Sequence, residues 1–266
     1  MTLDVLIATH GPDGLKKVEA MNLPEVGHVR YIVTWQTDDF ASVMESRLSE
    51  RDDVSVYADN STGLSRNRNA AIRRSAGDIC LIADNDLVYT AEQLERVISA
   101  FESNPDIDLA TFRYSGDDDK AYPDHEFDLA KPPRGYWVTS FEIAFRRKSV
   151  VNAGAKFNEL FGLGAPVLQS AEEEVFVLDC LRKGLKGRFF PIVITRHNGP
   201  TTGSRMINSE GVMMAKGAYH ALAHPATARL RLAIEAFRRS RRGVSPFWPT
   251  YRTFLAGVKY IKSGNL

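Results

Sequence analysis

Through the first two hundred residues, short apolar runs alternate with segments whose apolar residues recur at helical spacing. The apolar runs predict strands at residues 5–9, 29–34, 54–57, 79–83, 109–114, 138–146 and 188–195. The segments between them predict helices at residues 15–21, 64–75 and 171–183, and another after the capping box of Thr90 and Gln93. This alternation is typical of an α/β fold with a mostly parallel sheet between helices.

The pattern of apolar and polar residues changes after about residue 206. Beyond this point the sequence has no strand pattern and is rich in Ala, Met and Arg at helical spacing. We therefore expect an α/β domain at residues 1–205 and a helical C-terminal extension at residues 206–266.

Composition narrows the class of protein only a little. The 266 residues carry a formal net charge of +1, which gives no reason to expect a nucleic-acid partner. Cys80 and Cys180 lie in apolar runs and are interpreted as buried thiols, which suits a reducing cytoplasm. The first apolar run lacks the basic flank of a signal peptide, and no run approaches the roughly 18 apolar residues of a membrane span. A cytoplasmic protein, or one peripheral on the inner face of the membrane, is expected.

Acidic residues follow the most apolar of the predicted strands. Residues 79–83 are apolar at every position, as in a strand covered on both faces, and Asp84, Asn85 and Asp86 come directly after it. Ligands of open α/β sheets bind at the carboxyl ends of the strands. Two carboxylates there suit Mn²⁺ or Mg²⁺ bound together with phosphate oxygens. The simpler alternative is a turn, because Asn and Asp are common where strands end.

The segment before this strand strengthens the ligand interpretation. Residues 62–72 read TGLSRNRNAAI and residues 76–78 read AGD, in an order and spacing that resemble the family 2 glycosyltransferases of the GT-A fold. Further matching segments are THG at residues 9–11, EIAFRR at 142–147, FNELFG at 157–162 and AEEE at 171–174. The resemblance covers roughly residues 1–205. It implies a GT-A-like fold and transfer of a sugar from a nucleotide diphosphate donor.

The resemblance also implies roles for individual residues around the donor. Thr9 and His10 would lie in the turn that cradles the nucleotide. The usual acidic turn after the second strand, which contacts the nucleobase, is replaced here by TWQTDD, which ends in Asp38 and Asp39, and Asp59 is a second candidate for that contact. Arg68 would reach the base or the phosphates, although an arginine on a helix also fits a solvated surface. Asp84 would contact ribose or metal.

The metal ion would be bound directly by Asp86. His197, which follows the last strand, would complete the metal site or meet the diphosphate, although a lone histidine is also often structural. Arg205 is a further candidate for the phosphates.

A general base is implied near the start of the helix at residues 171–183. The family places an acidic pair there, and the register gives Glu172 and Glu173, with Glu in place of the usual Asp. Glu173 is assigned as the base and Glu172 as the alternative. Acidic residues in a first helical turn also complement the helix dipole, and Ser170 and Glu173 have the spacing of a capping box, so a purely structural role is the competing interpretation.

These features together predict an inverting, metal-dependent glycosyltransferase that acts in surface polysaccharide or glycolipid synthesis. A UDP-sugar is the favoured donor, and a glycan or a lipid-linked molecule is the expected acceptor. The alternatives are a nucleotidyltransferase, which the missing Gly-rich N-terminal loop argues against, and a non-catalytic nucleotide-sugar-binding protein.

Three features outside this site carry weaker hypotheses. Arginines flank apolar residues at helical spacing in residues 229–242, and Phe247 and Trp248 follow. This pattern suits either contact with an anionic membrane surface or a helix packed on the α/β body with solvated arginines. The acidic residues 117–119, together with His125, Glu126 and Asp128, are interpreted as a solvated loop, and a second metal cluster is the alternative. Tyr136 and Trp137 are candidates for stacking on a sugar ring or for half-buried strand positions.

Overall fold

The computed structural model describes residues 1–116, 120–199, 206 and 208–264. The chain forms two compact units. The first comprises Met1–Thr62, Arg66–Lys156 and Asp179–Gly199, and the second comprises Gly63–Ser65, Phe157–Leu178 and Pro200–Leu266.

All the described strands lie in the first unit and form one sheet. The strands are β1 (Leu3–His10), β2 (Val29–Gln36), β3 (Val54–Asp59), β4 (Ile79–Asp84), β5 (Leu87–Val88), β6 (Leu109–Gly116), β7 (Phe127–Asp128), β8 (Ile143–Arg146) and β9 (Gly187–His197). Their order is β3-β2-β1-β4-β8-β6-β9-β5, and β7 pairs with β9. The long neighbours β1 to β4 pair in parallel, β6 pairs in parallel with β9, and the remaining pairs are antiparallel. The prediction of an α/β fold with a mostly parallel sheet is confirmed.

Helices follow the strands much as the apolar pattern predicted. The described helices are α1 (Gly14–Ala20), α2 (Ser42–Glu45), α3 (Leu64–Arg74), α4 (Ala91–Glu102), α5 (Arg147–Asn152), α6 (Glu172–Arg182), α7 (Glu210–Ala223), α8 (Ala228–Arg241) and α9 (Phe247–Lys262). Short 3-10 turns occupy Arg47–Glu50 and Ser140–Glu142. The capping box of Thr90 and Gln93 is present at the start of α4, whose Leu94, Val97 and Phe101 are buried. None of the described helices is long and apolar enough to cross a bilayer.

The core of the first unit is built from the central strands. Leu3, Val5 and Ile7 of β1 and Ile79 and Leu81 of β4 are fully buried. Both cysteines are free and buried, and burial raises the pKa of each thiol to about 12. They stay protonated near neutral pH and pack as small apolar side chains, as the sequence predicted.

One predicted strand is partly wrong. Residues 138–146 read as a single strand, but β8 begins only at Ile143, and Ser140–Glu142 is a 3-10 turn. Thr139 and Glu142 form a capping box that holds the turn. The Glu142 carboxylate is fully buried and also accepts bonds of 2.7 Å from the Lys120 ammonium. This polar anchor outweighs the β-propensity of the neighbouring residues.

In the second unit, α7, α8 and α9 pack on one another. Gly217 of α7 lies against the backbone of Phe254, and Gly257 of α9 lies against the backbone of Met214. A Cβ added at either glycine would collide with a carbonyl oxygen of the other helix. The two helix backbones therefore approach more closely than any larger residue would allow.

His220 of α7 is expected to make the second unit less stable in acid. Burial, helped by Lys216 and His224, lowers the pKa of His220 from 6.5 to about 4. Between pH 6.5 and pH 4, His220 is therefore protonated in the unfolded chain but neutral in the folded chain. The free energy of unfolding falls as the pH drops through this range. We expect this residue alone to contribute a loss of about 2 kcal/mol in the free energy of unfolding over that range.

Urea unfolding of His220→Gln at pH 7 and pH 4.5 measures this contribution. The variant should lose less stability on acidification than the unchanged chain does. His125→Gln, at a histidine whose side chain is 71% exposed, is the control and should leave the pH dependence unchanged. Equal acid sensitivity in the unchanged chain and in both variants would show that His220 titrates normally.

Candidate active site

The carboxyl ends of four parallel strands line up candidate residues along one edge of the sheet. The register pairs His10 of β1 with Gln36 of β2, and Gln36 with Asp59 of β3. On the other side of β1, Asp84 ends β4 opposite Ala8. Asp59 and Asp84 are thus three strand spacings apart, roughly 14 Å. An extended ligand can lie along this edge.

Thr9 connects two of the segments that build the edge. Its hydroxyl accepts a hydrogen bond of 2.6 Å from the side-chain amide of Asn85, and its carbonyl accepts one of 2.9 Å from the side-chain amide of Asn67 on α3. Thr9 is 1% exposed. It therefore fixes the position of the acidic segment relative to β1 and α3, a task that the sequence pattern did not reveal.

Arg68 is not a solvated helix residue. Its side chain is 1% exposed and donates a hydrogen bond of 2.9 Å from Nη2 to Asp84 Oδ1. Ser140 donates a longer bond of 3.4 Å to the other carboxylate oxygen of Asp84. Both oxygens of the Asp84 carboxylate are therefore held in place by hydrogen bonds. The side chain is still one-third exposed, so a ligand can reach it.

Asp86 and His197 come together on the open side of the acidic segment. His197 Nε2 lies 3.4 Å from Asp86 Oδ2, and Asp86 is 56% exposed whereas the His197 side chain is 6% exposed. The imidazole is stacked on the Phe141 ring at 5.5 Å, with an interplanar angle of 18°. Among the described residues, Nδ1 of His197 has no hydrogen-bond partner.

The predicted metal ligands therefore separate into two groups. Asp84 faces Arg68 and Ser140, whereas Asp86 faces His197. Within the part of the chain that the structure describes, no three His, Cys, Asp or Glu side chains form a cluster able to hold a metal ion by themselves. Mg²⁺ and Mn²⁺ at phosphate sites commonly take only one or two protein ligands, because the substrate phosphates and water supply the others. The pair of Asp86 and His197 fits a site of this kind.

The 3-10 turn supplies two site residues that sequence reasoning missed. Ser140 reaches Asp84 and Phe141 supports His197, while the buried Glu142 anchors the turn to Lys120 and Tyr122. Burial raises the pKa of Glu142, and the Lys120 ammonium and the hydrogen bonds to the carboxylate act in the opposite direction. The capping-box spacing of Thr139 and Glu142 was the available signal.

The second unit contains the two candidate bases. The helix α6 begins at Glu172, and the preceding Ala171 has a φ of +66°, an unusual value for a residue other than glycine. Glu172 is buried, and its carboxyl carbon lies 3.2 Å from the place that a Cβ on Gly162 would occupy. Glu173 is half-buried in the first turn. Strained backbone of this type is concentrated at functional sites in proteins.

The remaining candidates are placed as follows. Tyr136 packs against Phe127 and Phe189 and bonds Thr111 through its hydroxyl, so it is a core aromatic, whereas Trp137 is 49% exposed. His10 and Asp59 are exposed at their strand ends. The acidic residues 117–119 and Arg205 lie outside the described residues.

Proteins similar to this chain are found among the glycosyltransferases. Residues 36–160 match the profile of the family described as Glycosyl transferase family 2. The structure is similar to that of S. aureus TarS 1-349 in complex with UDP-GlcNAc, with a TM-score of 0.62 and 16% identity over 90% of this chain and 72% of that one. It is also similar to the mannosyltransferase PcManGT from Pyrobaculum calidifontis in complex with GDP-Man and Mn²⁺, with a TM-score of 0.57 and 14% identity over 99% of this chain and 88% of that one. No curated protein sequence matches the chain significantly.

The family match and the fold of these neighbours lead to the same class of enzyme. Over residues 36–160 the chain matches the profile of the family 2 glycosyltransferases, and it shares the GT-A fold of these neighbours, so the enzyme is a glycosyltransferase. This confirms the family resemblance, the fold class and the enzyme class that the sequence predicted, and it disfavours the nucleotidyltransferase alternative.

Proposed function

We propose that the enzyme transfers a sugar from a nucleoside diphosphate sugar to an acceptor hydroxyl with inversion at the anomeric carbon. The observation that carries the proposal is the segment of Asp84, Asn85 and Asp86 at the carboxyl end of β4, beside Arg68 and His197. The exposed Asp86 carboxylate beside the His197 imidazole suits a divalent cation that accompanies a diphosphate, and the buried Arg68 guanidinium fixes the neighbouring Asp84.

The donor would lie along the edge of the sheet that runs from Asp59 to Asp84. Its nucleoside would occupy the side of Asp59 and His10, and Asp84, fixed by Arg68, would contact the ribose. A UDP-sugar is the favoured donor. Two solved neighbours support a donor of this class, because one binds UDP-GlcNAc and the other binds GDP-Man.

Mn²⁺ or Mg²⁺ would be held by Asp86 together with His197. Bound there, the ion would offset the negative charge of the departing diphosphate. The residues around it have their own tasks. Arg68 holds Asp84, Thr9 holds Asn85, and Phe141 keeps the His197 ring in place. The presence of Mn²⁺ in the complex of the mannosyltransferase neighbour supports this choice of metal.

Glu173 is the proposed general base. It would accept the proton of the acceptor hydroxyl while the hydroxyl oxygen forms the new bond to the anomeric carbon. The bond between that carbon and the phosphate oxygen breaks, and its electron pair leaves with the nucleoside diphosphate. The strained residue before α6 and the tight packing of Glu172 against Gly162 favour Glu173 over Glu172 for this role.

The acceptor would be a glycan or a lipid-linked molecule, which places the reaction in surface polysaccharide or glycolipid synthesis. A non-catalytic nucleotide-sugar-binding protein remains the competing hypothesis, since the family's usual Asp is Glu at the position of the base. Donor binding without any turnover would favour that hypothesis.

Thermal unfolding in the presence of nucleotides tests the donor and the metal together. We expect UDP with Mn²⁺ to raise the melting temperature, and EDTA to abolish most of the shift. At a ligand concentration one hundred times Kd, the stabilisation is about 2.7 kcal/mol, which thermal unfolding detects easily. GDP, CDP and dTDP, which differ from UDP in the nucleoside, are the comparison ligands. A shift with GDP alone would change the donor class, and no shift with any of the four would overturn the proposed donor site.

A further inference from the structure

The second unit presents an apolar stripe to solvent on α8. Leu230, Ile234 and Phe237 are 64%, 42% and 55% exposed. Their spacing of four and three residues places them on the same side of the helix. Single exposed apolar residues are ordinary, but three aligned along one helix form a contiguous surface.

The stripe is not the side by which α8 packs in its unit. Leu232, Ala236 and Arg239 are buried, and Leu232 and Ala236 belong to a cluster with Phe254 and Val258 of α9. The helix therefore already has a packing face, and Leu230, Ile234 and Phe237 lie on the side away from it. If the apolar residues of α8 served only to pack the helix in its unit, these three side chains would be buried as well.

Exposed arginines lie beside the stripe, most of them on one side of it. We call Leu230, Ile234 and Phe237, together with the exposed Arg229, Arg231, Arg238, Arg241 and Arg242, the outer face of α8. Glu235 is the one acidic residue of α8, and it pairs with Lys216 at 3.0 Å. Residues 228–262 contain nine Lys or Arg and one Glu, a net charge of +8, although the whole chain has a net charge of only +1. The positive charge is thus concentrated beside the apolar stripe.

We propose that the outer face of α8 binds the surface of a membrane that contains anionic lipids. The apolar side chains would enter the boundary between headgroups and acyl chains, and the arginines beside the stripe would reach the lipid phosphates. The charge complementarity selects anionic lipid rather than a neutral bilayer. Such binding would bring the enzyme to acceptors that are carried on lipids.

Cosedimentation of the full chain with vesicles tests the proposal. The vesicles contain either phosphatidylcholine alone or a mixture of phosphatidylcholine and phosphatidylglycerol. We expect binding to the mixed vesicles, weaker binding as salt is raised, and little binding to the neutral ones. Each arginine contributes about fivefold to the affinity for an anionic surface. The variant Arg231→Gln/Arg238→Gln/Arg242→Gln should therefore bind about a hundredfold more weakly.

The apolar stripe is tested separately by Leu230→Ser/Ile234→Ser/Phe237→Ser. This variant should also lose at least about tenfold in affinity for the mixed vesicles. Val151→Ser, at a residue 46% exposed on α5, and Lys16→Gln/Arg47→Gln/Arg134→Gln are the matched controls and should bind normally. The melting temperature and its nucleotide-dependent shift, measured without vesicles, show that each variant is folded.

Three results would overturn the proposal. The first is absence of binding to either kind of vesicle, which would leave an acidic protein as the occupant of the outer face. The second is equal binding to neutral and anionic vesicles. The third is unchanged binding in both triple variants, which would place the contact elsewhere on the chain. None of these outcomes depends on whether the enzyme uses the proposed donor.

Discussion

Replacing Asp86 with asparagine is expected to lower the rate of sugar transfer by about a thousandfold, the usual effect of removing a group that stabilises developing charge. Asparagine keeps the size of the side chain but removes the negative charge that a divalent cation requires. The fold should be unaffected, because Asp86 is 56% exposed. The measurement is the release of nucleoside diphosphate from a nucleotide sugar with Mn²⁺ present, with water as the acceptor.

The same assay separates metal binding from base catalysis. Asp86→Asn should also lose the Mn²⁺-dependent part of the thermal shift, whereas Glu173→Gln should keep that shift and lose turnover. If Glu172→Gln loses turnover instead, the base is Glu172. Asp52→Asn, at an exposed turn before β3, is the control for removing a carboxylate. A rate close to that of the unchanged enzyme in Asp86→Asn would rule out Asp86 as a metal ligand.

The second large effect concerns the buried ion pair of Lys120 and Glu142. The two side chains are 4% and 0% exposed and lie 2.7 Å apart. Lys120→Met leaves a carboxylate buried without its cation, and Glu142→Gln leaves a buried ammonium without its anion. Each single change should reduce the free energy of unfolding by about 3–5 kcal/mol, as measured by urea unfolding.

The double variant Lys120→Met/Glu142→Gln should recover most of this loss, because it leaves no uncompensated charge inside the protein. The exposed pair of Glu92 and Arg96, also 2.7 Å apart, is the matched control. Glu92→Gln should cost no more than about 0.5 kcal/mol. Losses below 1 kcal/mol in both single variants at Lys120 and Glu142 would mean that this pair is solvated and does not anchor the turn.

Much of the fold could be predicted because burial leaves a regular trace in the sequence. Strand β4 is buried over Ile79–Ala83, so its residues are apolar at every position, and the acidic segment at its end was recognisable. The turn at Ser140–Glu142 was missed because its neighbours are β-branched or aromatic, and the local sequence therefore resembles a strand. Its conformation depends on Lys120, which lies twenty residues earlier and whose pairing no local pattern reveals.

In the candidate site, too, local features could be predicted from the sequence, whereas contacts between distant residues could not. The position of Asp84 and Asp86 follows from local sequence, but the burial of Arg68 and the contact of Asp86 with His197 depend on how distant strands meet. Thr9 and Asn85 are 76 residues apart in the chain, and their hydrogen bond exists only because β1 and β4 are neighbours in the sheet. The resemblance to a family predicted which residues matter, whereas the contacts required the structure.

The crossing of α7 and α9 at Gly217 and Gly257 has a consequence for recognising relatives of this enzyme. Because each glycine lies against the backbone of the opposite helix, a mutation that enlarges either one cannot be offset by reshaping a side chain. Lineages that keep this helix pair should therefore keep a glycine at both positions, forty residues apart. That spacing offers a signature for the second unit where overall identity has fallen too low for alignment to detect common descent.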